Sequence, residues 1–305
     1  MQRYILRRFG QALIALAVLS VLIFSMVRLT GDPTLLMLPE DATAADIAQL
    51  RRALGLDRPV TVQYWLFVRN ALQGDFGRSI RGQIPVINLI QERLPYSMRL
   101  GGASLLVTLG IALPLGVLAA VHKGSFLDTV AQVVAVLGQS MPMFWVGIVL
   151  IQLFAVQLRL LPSGGTGSLL HYVLPAFTLG WWLVAGIMRL LRSSMLEVLD
   201  SEFVKLARIK GVSEAKIIWK HTLRNSLIPV VTFGGIYMAV LITAAILVET
   251  VFAWPGVGRL VYEAIVFRDF PVVQAVVLLT AGFVIVTSLV VDILYAYLDP
   301  RIRYQ

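Results

Sequence analysis

The stretch Leu100–Val121 reads LGGASLLVTLGIALPLGVLAAV and holds 22 residues without a charged side chain or a histidine. A helix of about 20 apolar residues is long enough to cross the hydrocarbon core of a lipid bilayer. This stretch therefore predicts a transmembrane helix.

Five further runs lack charged residues and histidine in the same way. They are Phe9–Val27, Thr129–Leu158, Tyr172–Met188, Asn225–Val248 and Phe270–Val291. The run from Thr129 is too long for one upright helix, and its Gly138–Pro142 stretch predicts a kink or a tilted start. A signal peptide is the alternative for the first run, but that run is longer than a usual signal-peptide core and no small-residue cleavage site follows it. We therefore predict an all-α integral membrane protein with six transmembrane helices.

The composition agrees with a membrane location. Of the 305 residues, 58% are hydrophobic and 14% are charged, with a formal net charge of +9, whereas soluble domains carry roughly 25% charged residues. Because the basic residues lie between the apolar runs, they indicate orientation in a membrane rather than a nucleic-acid partner. The chain has no cysteine, which excludes thiolate chemistry. His122, His171 and His221 are far apart in sequence, so no metal site is predicted.

The net charge of the segments between the apolar runs predicts on which side of the membrane each segment lies. The segments on the side of the two termini sum to +7 and those on the other side to +2. Basic residues favour the cytoplasmic side, and the long segment Arg28–Arg99 counts little in this comparison. We therefore expect a multi-pass protein whose termini and Arg189–Arg224 segment are cytoplasmic.

The long segment after the first run is predicted to face outward. Amphipathic patterns indicate one helix that ends at Gly55 and a second one between Pro59 and Gly74. We interpret the segment as a small helical cap over the membrane part, with direct substrate contact as the alternative.

The cytoplasmic segment around Gly211 predicts two short helices joined by a sharp bend. Asp200 or Ser201 can cap the first helix, and Gly211 supplies the positive φ at which that helix ends. Ser213 can cap the second helix, whose Ala215, Ile218, Trp219 and Thr222 are expected on one face. Basic residues surround both helices, so a surface pair that binds anionic lipid is the alternative to a protein contact.

The same segment carries a family resemblance. Glu202–Gly211 (EFVKLARIKG), followed by His221–Pro229 (HTLRNSLIP), resembles the EAA loop of ABC-importer permeases of the dipeptide, oligopeptide and nickel branch. Further stretches are similar to the same branch, in order along the chain: Arg3–Arg8, Gly31–Pro33, Gly74–Ser79, Leu161–Pro162, His171–Pro175, Trp254–Leu260 and Asp299–Tyr304. Among these permeases, those for glutathione are the most similar near Gly74–Arg78 and His171–Pro175.

The resemblance implies a type I ABC-importer permease fold in a bacterial inner membrane. It implies residues 1–29 as tail and first membrane helix, 30–98 as periplasmic insertion, 99–298 as permease core with coupling helices at 200–222, and 299–305 as cytoplasmic tail. The residues implied to contact the ATPase are Glu202, Phe203, Leu206, Ala207, Lys210 and Gly211. The implied partners are a second homologous permease, two ABC ATPase subunits and a substrate-binding protein, besides membrane lipid.

The resemblance also implies that ATP and Mg²⁺ bind to the partner ATPases and that this chain has no cofactor and is not an enzyme. In agreement, the sequence has no Gly-x-x-x-x-Gly-Lys-Ser/Thr loop for phosphate binding. The implied substrate is a short peptide or a peptide-like solute such as glutathione, and nickel or another small solute is the alternative.

The third apolar run offers candidates for a translocation wall. Gln139, Ser140, Met141 and Met143 combine adaptable thioethers with uncharged donors and acceptors. The alternative is that these residues only pack the kink.

A stand-alone secondary transporter is a less favoured function, because it would require ionisable groups at mid-membrane or paired broken helices. An intramembrane enzyme would require paired catalytic groups inside the spans. Glu249 and Asp292 are instead expected at span ends, where charges are tolerated.

Overall fold

A computed structural model describes residues 2–30, 34, 43–53 and 55–298; the predicted tail 299–305 and the Gly31–Pro33 motif lie outside them. The described residues are predominantly helical, and their only strand-like pairing is an isolated antiparallel bridge between Arg78 and Pro85. The predicted all-α class is therefore confirmed for this part of the chain.

The helices follow one another with short connections. They are α1 Gln2–Thr30, α2 Ala44–Ala53, α3 Val60–Leu72, α4 Val86–Val121, α5 Phe126–Ser140, α6 Met143–Leu150, α7 Leu170–Leu199, α8 Glu202–Ile209, α9 Glu214–Lys216, α10 Leu223–Val251, α11 Val257–Val266 and α12 Phe270–Leu298. Helix α6 continues as π-helix over Ile151–Gln157, and α9 continues as π-helix over Ile217–Thr222. Within the described residues α2 and α3 are the two helices expected between the first two apolar runs, and Gly55 and Gly74 follow them with φ of 65° and 79°.

Four helical stretches are long and apolar enough to cross a membrane. They are Arg7–Arg28, Val86–Val121, Leu170–Leu199 and Phe270–Val291. The pair α5 and α6 counts as a fifth span if its two parts are taken together, but it is bent by 108° at the break. Helix α10 covers the remaining predicted run as one helix, and several of its side chains lie outside the described residues. By length and composition, the described residues thus contain four candidate spans, or five if the bent pair is counted as one span.

The break between α5 and α6 is sharper than the predicted kink. Helix α5 ends at Ser140, Met141 adopts an extended conformation with φ −85° and ψ 130°, and Pro142 precedes the first residue of α6. Proline has no N–H to donate and disfavours helical backbone in the residue before it, so the helix stops at this point. Ser140 donates its hydroxyl to the Val136 carbonyl at 2.8 Å within the last turn of α5.

The described chain divides into two compact units. One comprises the described residues within 1–97 together with 255–289, and the other comprises 98–254 with 290–298. In the first unit, the edge of the Phe24 ring on α1 packs against Tyr64 on α3 with ring centroids 5.4 Å apart. The Ser20 and Tyr64 hydroxyls share a hydrogen bond of 2.7 Å. These contacts join α3 to the first membrane helix.

Asp269 is the main polar anchor of the first unit. Its carboxylate is buried and accepts hydrogen bonds from the Ser79 hydroxyl and from the Ile80 N–H at 3.0 Å. The guanidinium carbon of Arg81 lies 3.9 Å from the centroid of the Phe267 ring. The connection between α3 and α4 is thereby tied to the start of α12, about 190 residues later in the chain.

Helix α7 is the centre of the second unit, and small residues let its neighbours approach closely. A Cβ added to Gly180 would lie 2.6 Å from the Thr108 hydroxyl oxygen of α4, and one added to Gly138 of α5 would lie 2.7 Å from the Ala185 Cβ. On another side of α7, a Cβ added to Gly186 would lie 2.8 Å from the Phe233 ring of α10. Close contacts of this kind are how small residues stabilise helix pairs in membranes.

Candidate functional site: the coupling segment and the bend of the third span

The coupling segment, which we define as Glu202–Thr222, is a helix, a tight bend and a second helical stretch. Helix α8 ends at Ile209, and Gly211 follows with φ of 76°. The Val212 N–H donates to the Ala207 carbonyl at 3.1 Å and the Gly211 N–H donates to the Arg208 carbonyl at 3.0 Å. This is the hydrogen-bond pattern of a helix that terminates in a left-handed residue, as the sequence predicted for Gly211.

The coupling segment, which is part of the second unit, buries several of its side chains. Val204 in α8 and Ile217 at the start of the π-helical turn are both 0% exposed. Thr222 is buried at the end of the same turn. The segment therefore buries part of its surface and leaves other side chains exposed.

The exposed surface of the segment carries large apolar side chains among charged ones. Phe203, Leu206 and Ile209 are 46%, 55% and 81% exposed, and Trp219 is 61% exposed. Ala207 is half-buried, whereas Glu202 and Lys210 are exposed. Large apolar side chains at helical spacing on one exposed face are typical of a helix that inserts into a groove of another protein.

Two ion pairs frame the bend. The Lys205 ammonium lies 2.8 Å from a Glu202 carboxylate oxygen within the first turns of α8. The Arg208 guanidinium donates two hydrogen bonds, of 2.8 and 3.3 Å, to the Glu214 carboxylate on the far side of Gly211. Each carboxylate raises the pKa of its cationic partner by hydrogen bonding to the charged form. The Arg208–Glu214 pair connects α8 with α9 across the bend.

The structure corrects the expected capping. Ser201 and Ser213 occupy the positions before α8 and α9, but neither side chain makes a capping hydrogen bond. The Ser201 hydroxyl instead donates to the Val198 carbonyl at 2.5 Å, so it stabilises the end of α7 and not the start of α8.

The structure also corrects the expected face of the second helix. Ala215 and Trp219 are exposed while Thr222 is buried, so these residues do not share one face. The reason is the π-helical turn over Ile217–Thr222, which inserts an extra residue per turn and shifts the periodicity. Ile217 replaces Ile218 as the buried position.

The candidate translocation residues gather at the break between α5 and α6. Gln139, Met141 and Met143 are half-buried and Ser140 is exposed. The Gln139 side-chain nitrogen lies 3.7 Å from the position of a Cβ added to Gly186 in α7. Gln139 therefore borders the contact between α5 and α7, and Ser140, Met141 and Met143 follow it at the break.

Aromatic residues that the sequence reasoning did not single out lie beside this contact. The Trp182 ring on α7 meets Tyr237 on α10 at 4.6 Å between centroids, and Tyr237 meets Phe233 at 4.2 Å. Trp181 stacks on Phe177 at 5.3 Å, and its buried indole N–H has no hydrogen-bond partner in the described part of the chain. The adjacent Trp181 and Trp182 were the signal available in the sequence.

A buried ion pair is the second feature that the sequence did not reveal. The Arg192 guanidinium of α7 contacts both carboxylate oxygens of Asp128 in α5, at 2.5 and 2.8 Å. Asp128 lies in the first turn of α5, just before the apolar run that begins at Thr129, and is only 2% exposed. Glu249 likewise lies at the end of its helix as expected, yet it is fully buried.

The histidines do not converge on one another. The Ser168 N–H donates to His171 Nδ1 at 3.1 Å, and the Ser168 hydroxyl lies 3.1 Å from the same nitrogen. His122 Nδ1 lies 3.1 Å from the Leu118 carbonyl. Among the described residues no three His, Cys, Asp or Glu side chains lie together as metal ligands would. Both described contacts are local, within three or four residues of the histidine.

Several apolar spans and an exposed, glycine-bent helix pair at one surface fit the permease fold that the resemblance implied. Residues 112–304 match the family described as binding-protein-dependent transport system inner membrane component, and residues 1–101 match the N-terminal family of the same transport systems. The chain belongs to this family of transport permeases, which confirms the resemblance to ABC-importer permeases.

Relatives agree with this assignment over the full length. The chain is 41% identical to the glutathione transport system permease protein GsiC of Salmonella choleraesuis (strain SC-B67), and 100% of both chains is covered. It is 40% identical to the protein of the same name from Escherichia coli (strain K12), again over 100% of both chains. The chain is thus a multi-pass membrane permease similar in length and sequence to glutathione permeases.

Proposed function

We propose that this chain is the permease subunit of an ATP-driven importer that moves glutathione or a similar short peptide into the cytoplasm. The observation that carries the proposal is the exposed apolar face of Phe203, Leu206 and Ile209, on a segment anchored from behind by Val204 and Ile217. Such a face needs a protein groove to cover it. The substrate class is proposed from the names of the relatives that match the chain end to end.

The coupling segment works as a lever in this proposal. A partner ATPase covers Phe203, Leu206 and Ala207, with Glu202, Lys210 and Gly211 at the edge of the contact. Two ATPase subunits bind ATP and Mg²⁺ and hydrolyse the ATP, while this chain binds no cofactor. Because the Arg208–Glu214 pair and the Gly211 bend connect α8 with α9, a push on α8 moves the segment as a unit.

The proposed membrane arrangement has six helices with both termini in the cytoplasm of an inner membrane. The bent pair α5–α6 forms the third span and α10 the fifth. Helices α2 and α3 belong to an outward-facing cap within residues 30–98. The excess of basic residues on the side of the termini supports this orientation.

The remaining partners are proposed from the size of the translocation path that a peptide needs and from the family. A second, homologous permease completes the pore, and a substrate-binding protein delivers the solute from outside. Gln139, Ser140, Met141 and Met143 at the α5–α6 bend line this chain's half of the path.

Reconstitution tests the proposal directly. We expect this chain, purified from membranes with its bound partners, to retain two ATPase subunits and a second permease. In liposomes with the binding protein and ATP, it should take up labelled glutathione, and unlabelled glutathione or dipeptides should compete. Uptake of nickel in place of glutathione would contradict the substrate class, and a lone homo-oligomer that transports without ATPases would contradict the importer.

A matched pair of variants tests the exposed face. Leu206→Glu places a charge in the proposed ATPase contact, whereas Lys216→Glu changes an exposed residue of α9. We expect Leu206→Glu to lose both the bound ATPases and uptake and Lys216→Glu to retain them. Retention of ATPases and uptake by Leu206→Glu would show that another surface couples the subunits.

A further inference from the structure

The Asp128–Arg192 pair joins two helices that lead to different functional regions. Helix α7 runs on from Arg192 to Leu199, and the coupling segment begins three residues later at Glu202. Helix α5 runs from Asp128 to Ser140 and ends at the bend that carries the candidate translocation residues. The pair therefore connects the helix that leads to the coupling segment with the helix that leads to the bend.

The Asp128 carboxylate is fully satisfied where it lies. Besides the two contacts with Arg192, it accepts hydrogen bonds from the Gly124 N–H at 2.9 Å and from the Gln132 side-chain amide at 3.0 Å. The Asp128 N–H donates to the Ser125 hydroxyl at 3.3 Å, so the same residue closes the cap of α5. A two-pronged guanidinium–carboxylate contact of this kind fixes direction as well as distance.

The rest of the α5 surface that faces α7 cannot fix direction in this way. Its buried residues after Asp128 are Ala131, Ala135 and Gly138. Such small side chains allow close approach but offer no bond that resists sliding along the helix axis. Among the residues that the structure describes, the Asp128–Arg192 pair is the only hydrogen-bonded link between the two helices.

We infer that the Asp128–Arg192 pair transmits movement of the coupling segment from α7 to α5 and so to the bend at Met141–Pro142. Both are positioning residues: they hold α5 in register with α7, and neither touches the solute. The inference rests on the proposed function, because it assumes that an ATPase moves the coupling segment. When the pair is intact, an axial shift of α7 carries α5 with it; without the pair, α7 slides past the small-residue face of α5.

The test measures solute imported per ATP hydrolysed by the complete complex in liposomes, with labelled glutathione as the probe. The variants are Asp128→Asn, Arg192→Gln and the double variant, which leaves no unpaired buried charge. The control is Arg189→Gln, which removes one positive charge from an exposed position of the same helix. We expect the double variant to import at least tenfold less solute per ATP while its ATP hydrolysis and bound subunits stay within twofold of the wild type.

The single variants should show the same loss of coupling wherever they accumulate in the membrane, and Arg189→Gln should behave like the wild type. If the double variant keeps its import per ATP within twofold of the wild type, the inference is wrong. Failure of the double variant to accumulate also overturns it, since the pair would then serve folding. A wild-type complex that does not import glutathione with ATP would contradict the proposed function instead.

Discussion

Gly211 is a residue whose backbone alone determines the shape of the coupling segment. Its φ is 76°, and no atom lies within 4 Å of the place where a Cβ would be added. A side chain would therefore have room, and any penalty at this position comes from the left-handed backbone. The penalty for a residue other than glycine is about 1–2 kcal/mol, and it is larger for a β-branched residue.

This distinction gives a prediction with an internal control. Gly211→Val should straighten the bend and reduce ATP-driven uptake at least tenfold, whereas Gly211→Asn, which tolerates the left-handed region, should keep most of it. Uptake in liposomes and ATPase stimulation measure the effect, with membrane level as the check on folding. Equal activity of the two variants would mean that the bend is not needed for coupling.

Asp269 determines the position of the chain between α3 and α4. It is buried and accepts from the Ser79 hydroxyl and the Ile80 N–H. Hydrogen bonds to a charged group contribute about 1.5–3 kcal/mol each. The segment that carries Arg78 and Arg81 should thus open readily once the carboxylate is removed.

We expect Asp269→Ala to raise the rate of trypsin cleavage after Arg78 or Arg81 in the purified protein at least tenfold, because an opening free energy lower by about 1.4 kcal/mol already gives that factor. Glu263→Gln is the matched control, since its partner Arg259 forms a half-exposed pair on α11 and such pairs contribute little. Mass spectrometry of the fragments identifies the cut. An unchanged cleavage rate in Asp269→Ala would show that other contacts hold the segment.

At the scale of elements, the close approach of α5 and α7 depends on the absence of a side chain at Gly138. A Cβ at that position would lie 2.7 Å from the Ala185 Cβ, closer than carbon atoms pack. Gly234 in α10 is also a helical glycine, but nothing lies within 4 Å of its added Cβ. Alanine substitutions at the two positions therefore distinguish the effect of packing from the effect of helix propensity.

Gly138→Ala should destabilise the protein by about 1–3 kcal/mol through overpacking, while Gly234→Ala should be neutral or stabilise it by up to about 1 kcal/mol through helix propensity. Thermal unfolding of the detergent-solubilised protein measures both, read as a shift of the midpoint. A midpoint for Gly138→Ala equal to that of Gly234→Ala would contradict the close contact.

At the scale of the whole molecule, we predict the orientation in the membrane from the distribution of charge. A reporter that is active only outside the cytoplasm should be silent when fused after Gln305 and active when inserted beside the exposed Gly82, because the basic excess lies on the side of the termini. Insertion into the Arg189–Arg224 segment, which we propose to be cytoplasmic, is the silent control. The reverse pattern would mean that the proposed orientation is inverted.

Much of the fold was accessible from the sequence because its signals are local. Charge-free runs predicted the apolar helices, and Gly55, Gly74 and Gly211 marked helix ends that have positive φ. Ala253 and Arg268 adopt the same left-handed conformation after α10 and α11, and no sequence rule assigns it to these residue types. Helix ends formed by such residues are visible only in the structure.

The features of the fold that the sequence did not predict depend on contacts between residues that are distant in the chain. Asp128 pairs with Arg192 across 64 positions and Ser79 with Asp269 across 190, and one sequence holds no signal for such pairs. The candidate site was predicted as a segment, since Gly211 and the spacing of Phe203 and Leu206 are local features. The π-helical turn at Ile217 was not, because it arises from packing that breaks the regular period.

The 108° break at Met141–Pro142 has a consequence for how the protein is made. Drawn out as one straight helix, the 30 residues Thr129–Leu158 would measure about 45 Å, well beyond a hydrocarbon core about 30 Å thick. The side chains that later pack beside the two halves, Ala185 against Gly138 and Thr178 and Phe252 against Gly147, leave the ribosome only afterwards. We therefore expect this stretch to enter the bilayer during synthesis as a single tilted segment and to fold at the proline only when α7 and the end of α10 arrive.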